Sequence, residues 1–111
     1  MDRFDELKQR YAQALPQKAD EIDFAWRRFD ADLDNTAARE ALHQAVHRLS
    51  GSAAAYGFED LGDLAQSVDS VFSDWLASAP FERPSSMSLH LSLRDGVAEL
   101  VAALRAHPVT I

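Results

Sequence analysis

"HRLSGSAAAYGFEDL", residues 47–61, reads as the end of one helix, a turn and the start of another. Leu49 and Ala53 repeat at one-turn spacing, as the buried face of a helix does. Gly57 suits the left-handed position that closes many helices. Glu59 and Asp60 then supply the negative charge favoured in a first helical turn. The stretch is therefore the corner of an antiparallel helical hairpin, which points to an all-α fold. Two residues need a further reason. Gly51 lies inside the helix, where glycine costs roughly 1 kcal/mol relative to alanine, and His47 lies one turn before it.

The hairpin extends outward in both directions. Leu42 and Val46 continue the stripe of Leu49 and Ala53 toward the N-terminus. Beyond the turn, Leu61, Leu64, Val68, Val71, Phe72, Trp75 and Leu76 form the longest stripe. Leu89, Leu93, Val97, Leu100 and Leu104 form the last one, after the loop "ASAPFERPSSM" at residues 77–87. Before the hairpin, Phe4, Leu7, Tyr11 and Leu15 precede Pro16, a residue that suits the opening turn of a new helix. Ile22, Trp26, Phe29 and Leu33 follow, ended by Asp34-Asn35-Thr36 with its capping side chains. Five segments result: an up-down four-helix bundle with an additional N-terminal helix over one end. Trp26, Phe29, Phe72 and Trp75 are expected in the core.

At 111 residues the chain is expected to form one domain, 1–111. It has no cysteine, so disulfides, thiol catalysis and thiolate metal sites are excluded. No signal peptide or membrane-length apolar run is present, and the expected address is the cytoplasm. A net charge of −7 argues against nucleic acid as partner. That charge is uneven. Residues 59–78 carry five acids and no Lys or Arg, whereas residues 35–58 carry Arg39, Arg48 and Glu40, with His43 and His47 in addition.

On a helical wheel His47 falls about 130° from the centre of the Leu42–Ala53 stripe, on the flank or surface. His43, Gly51 and Ala54 share its strip, and Ser50 lies between the strip and the core. Apart from His43, the neighbours are among the smallest side chains. Such a bare backbone beside an exposed imidazole forms a platform that another protein can approach closely.

The same residues resemble the motif of histidine-containing phosphotransfer (HPt) domains. That motif is His-x-Leu-Lys-Gly-Ser/Ala, with a glycine ten residues after the histidine and a leucine shortly beyond. His47, Leu49, Gly51, Ser52, Gly57 and Leu61 match it, and "RYAQALPQK" at residues 10–18 resembles the end of the family's first helix. The similarity is sharpest over residues 47–61 and extends from about residue 4 to 76. The lysine usually found three residues after the histidine is Ser50 here.

The resemblance implies a phosphorelay. His47 would accept a phosphoryl group from an aspartyl-phosphate on the receiver domain of a hybrid histidine kinase and pass it to the receiver of a response regulator. It implies no cofactor of the chain's own, since the receiver brings Mg²⁺ and a lysine. The chain is then a phosphoryl carrier rather than a complete enzyme, and a monomer is expected because an internal bundle about fills the apolar stripes. Imidazole titrates at about 6.5, so it serves as a neutral nucleophile at neutral pH without a general base. Ser50, Ser52 and Arg48 stand as supporting groups, with His43, Gly51 and Ala54 on the docking strip. The competing reading is a module that docks on a receiver or kinase and modulates it without carrying phosphate. His43 and His47 at i, i+4 also match half of a helical zinc site, but Gln44 stands where a metalloprotease has glutamate. No metal is expected, and His90 and His107 read as surface residues near helix ends.

Overall fold

The computed structural model describes residues 2–106. Among them the chain forms four helices and no strand: α1 (Arg3–Ala31), α2 (Thr36–Ala55), α3 (Glu59–Ala77) and α4 (Ser86–Ala106). Helix α1 packs on α2 and α4, and α3 packs on the same two, so the four helices form a square around one core. The centre is filled by Leu15, Ile22 and Phe29 of α1, Leu42 and Val46 of α2, Phe72 of α3, and Leu93 and Leu100 of α4.

The expectation of five helices is wrong. The first two apolar stripes belong to one continuous helix of 29 residues, with Pro16 inside it. Proline in a helix interior removes one backbone hydrogen bond and costs about 3 kcal/mol or more. Yet Tyr11, Leu15, Ala19, Ile22, Ala25 and Phe29 are all buried at spacings of three or four, with no change of phase at the proline. Burying each large apolar side chain contributes about 1.5–3 kcal/mol, so keeping Leu15, Ile22 and Phe29 in line outweighs the lost bond. Pro16 itself lies on the exposed face. No separate helix lies over one end of the bundle. The first turns of α1 run past the α2–α3 corner, and Phe4 is half exposed there.

Pro16→Ala should therefore raise stability by about 1–2 kcal/mol, part of the gain being offset by the freer unfolded chain. Thermal or urea unfolding measures this. An unchanged or lowered stability would mean that the packing of α1 requires the proline.

The connections follow local chemistry. Asn35 caps α2 by accepting from the Ala38 amide at 3.0 Å. Gly57, at φ +87°, closes α2. Its amide donates to Ala54 O, and the Phe58 amide donates to Ala53 O. These paired bonds, with Phe58 and Ala53 both buried, are the Schellman arrangement. The loop before α4 is tied down by Trp75, whose indole donates to Pro84 O at 2.8 Å. The guanidinium groups of Arg39 and Arg83 lie 4.8 and 4.7 Å from the Trp75 ring.

Phe29, Phe72 and Trp75 are core residues as expected, and Trp26 is half-buried against them. Leu76 is not part of the core and stands exposed. His90 is not a surface residue: its ring stacks on Trp26 at 4.8 Å, and Nε2 bonds Asp30 at 2.6 Å. His107 lies outside the described residues.

Candidate functional site

Helices α2 and α3 approach closely near their shared corner, where both carry small residues. A Cβ added at Gly62 would sit 3.3 Å from the Cβ and amide nitrogen of Ala54. Further along the same pair, His43 and His47 of α2 meet Asp69 of α3. His43 Nε2 lies 3.0 Å from Asp69 Oδ1, and His47 Nδ1 lies 3.1 Å from Asp69 Oδ2. One carboxylate thus receives a ring N–H from each of two imidazoles, since an ionised carboxylate only accepts.

The three side chains differ sharply in exposure. Asp69 is 8% exposed, His43 26% and His47 70%. Asp69 is the one charged residue among the buried side chains of the described chain. The His43 ring lies flat on Phe72, with centroids 4.6 Å apart. His47 projects into solvent with its Nδ1 edge turned back to Asp69. A histidine that donates through Nδ1 carries its lone pair on Nε2. The exposed nitrogen is then the nucleophilic one.

Gly51 borders this site on the open side. A Cβ placed there would meet nothing within 4 Å, so the glycine does not serve packing within this chain. Ala54, on the same strip, is also exposed while touching the α2–α3 contact at Gly62.

The remaining supporting residues are directed elsewhere. Ser50 donates its hydroxyl to the His47 carbonyl at 2.7 Å, a bond within the helix rather than toward the ring. Ser52 lies on the α1 side, its Oγ 2.6 Å from the Tyr11 hydroxyl. Burial pushes the Tyr11 hydroxyl above its ordinary value, an effect the Ser52 bond partly offsets. Tyr11 stacks on Tyr56 and Phe58, which fastens α1 to the corner below the site. Arg48 bonds Gln44 at 3.3 Å and borders a small cleft with Lys18 and Glu21 of α1, away from the imidazole.

Asp69 was not among the residues singled out from sequence. It is one of five acids between residues 59 and 78. Its distinguishing mark is phase: it lies four residues after Ala65 and three before Phe72, both buried, and so on the apolar arc of α3. Among the described residues no three His, Cys, Asp or Glu are arranged to hold a metal ion. Nor, among those residues, is any helix long and apolar enough to cross a membrane.

The four-helix bundle thus presents a solvent-facing histidine on α2, backed by a buried carboxylate of α3 and bordered by a bare helix strip. The family model for the Hpt domain matches residues 4–107, and the chain belongs to that family. Hpt domains act in histidine phosphotransfer within phosphorelays, exchanging phosphoryl groups with receiver domains. Neither the curated proteins nor the solved structures contain a significant match to the chain.

Proposed function

We propose that His47 is the phosphoryl acceptor and that the reacting atom is Nε2. The observation that carries this reading is the bond from His47 Nδ1 to the buried Asp69, which leaves Nε2 outward on a side chain that is 70% exposed. Nε2 attacks the phosphorus of an aspartyl-phosphate. An N–P bond forms, the P–O bond to the receiver's aspartate breaks, and the carboxylate leaves with the electron pair. The ring keeps its Nδ1 proton and gains positive charge, which Asp69 opposes at close range. Onward transfer is the reverse step with a second receiver.

The chain supplies the nucleophile, its orientation and a flat approach. Phosphoryl transfer rests chiefly on positioning and charge neutralisation, and the receiver contributes Mg²⁺ and a lysine. We take the donor to be the receiver of a hybrid kinase and the acceptor that of a response regulator. We also place the protein as a monomeric single domain over residues 1–111, working in the cytoplasm.

Incubation with a phosphorylated receiver tests the reading. The expected result is an acid-labile, base-stable label on this chain, with matching loss from the receiver. Binding without label would instead establish a modulating module, and absence of both would overturn any receiver-directed role.

Gly51 gives a separate prediction. Gly51→Ala should hold or raise stability, by up to about 1 kcal/mol, because the helix gains propensity and the new Cβ meets nothing. Gly51→Gln should fold equally well yet slow transfer, because its side chain occupies the approach to His47. Rates from one receiver and thermal melts of both variants check this. Normal transfer by Gly51→Gln would remove the docking role from this strip.

A further inference from the structure

Asp69 has two hydrogen-bond partners, and the proposed reaction uses only one of them. The other is His43, whose Nε2 lies 3.0 Å from Asp69 Oδ1. The carboxylate is 8% exposed, and a buried charge holds its place only when paired and hydrogen-bonded. His47 alone is a poor anchor for it, being a surface side chain at 70% exposure. The last torsion of an aspartate is also broad, so backbone and rotamer leave the carboxylate plane unfixed. Two N–H donors, one on each oxygen, do fix it. His43 is itself held from behind by the face of Phe72, 4.6 Å away and nearly parallel.

We infer that His43 is a positioning residue for phosphotransfer, holding the Asp69 carboxylate aligned so that His47 keeps its proton on Nδ1 and its lone pair on Nε2. The inference rests on His47 as acceptor for its kinetic consequence, but its structural content stands without it. The reason lies in what Asp69 does without a donor on Oδ1. A buried carboxylate stripped of that bond is free to turn toward water, releasing His47. Nothing then holds the His47 ring proton on Nδ1, and where it resides on Nε2 the outward nitrogen is no longer a nucleophile. Among the described residues, the charged or titratable side chains bonded in this cluster are His43 and His47 from α2 and Asp69 from α3, and no lysine or arginine pairs with Asp69.

Two variants separate positioning from packing. His43→Leu fills the space against Phe72 and donates nothing. His43→Gln retains an N–H donor within reach of Oδ1. The direct readout is the tautomer of His47, from the nitrogen shifts of its ring in ¹⁵N-labelled protein at a pH where the rings are neutral. Native protein and His43→Gln should both show the proton on Nδ1, and His43→Leu should show a shift toward Nε2. Transfer from a phosphorylated receiver should slow by roughly three- to tenfold in His43→Leu, the scale of one modest hydrogen bond. His43→Gln should recover most of that rate.

A native-like tautomer in folded His43→Leu would overturn the inference, as would a His43→Gln protein as impaired as His43→Leu. A native chain carrying the His47 proton on Nε2 would do the same. If the native chain takes up no label at all, the acceptor assignment fails while the tautomer measurement still decides the role of His43.

Discussion

His47→Gln is expected to fold as the native chain does and to take up no phosphoryl group above background. The side chain is 70% exposed and is not part of the core, and its one recorded polar contact is the bond to Asp69. Surface substitutions of this kind usually change stability by no more than about 0.5 kcal/mol. Glutamine is the informative replacement because it keeps a polar side chain of similar length beside Asp69 while removing the imidazole. An amide nitrogen has no free lone pair, so the nucleophile alone is removed. Labelling from a phosphorylated receiver, read beside a thermal melt, checks both halves. Undiminished labelling would end the assignment. Label appearing on His43 instead would move the acceptor one turn along α2, to a ring whose Nε2 is already engaged by Asp69.

The parts of the fold that local chemistry controls were legible. Gly57 closes α2 as its sequence context implied, and Asn35 caps the same helix. The α2–α3 hairpin and α4 follow from their apolar periods and their ends. Pro16 misled because its rule is local, whereas the decision in α1 was made over about five turns. From Tyr11 to Phe29 the buried positions keep one phase through the proline, and that continuity was the stronger signal. The wheel placed His43, His47 and Gly51 on one strip, and the structure keeps them there. It could not say what faced that strip. Asp69 joins the site only because α3 packs on α2 in this register, which is a tertiary fact. Ser52 shows the same limit from the other side, since its hydroxyl is drawn to Tyr11 of α1, 41 residues earlier. Ser50, where the family motif has lysine, bonds the backbone of its own helix, and the polar contact to the His47 ring comes from Asp69 across the interface.

Asp69→Asn should leave the bundle standing and disable the site. Asparagine has the shape of aspartate, and removing a buried charge relieves its desolvation, so stability is expected to hold or rise. The hydrogen bonding is what changes. Asp69 accepts from both rings, through Oδ1 from His43 and Oδ2 from His47. Asparagine accepts through one atom and donates through the other, so one of the two imidazoles must present a bare nitrogen to the amide. Where that ring is His47, its proton moves to Nε2 and the outward lone pair is lost. Where that ring is His43, His47 keeps a neutral acceptor but loses the negative charge that opposes the positive ring formed on N–P bond formation. Both arrangements slow the reaction. A loss of about 10–100-fold in transfer rate is expected, below the roughly 10⁴-fold seen when a serine-protease triad loses its aspartate, because no general base is needed here. Rates with one phosphorylated receiver, together with thermal melts, decide the matter. A folded Asp69→Asn protein transferring at the native rate would show that the carboxylate only fastens α3 to α2. A matching fall in rate and in stability would mean that the site fails because the helix pair has come apart.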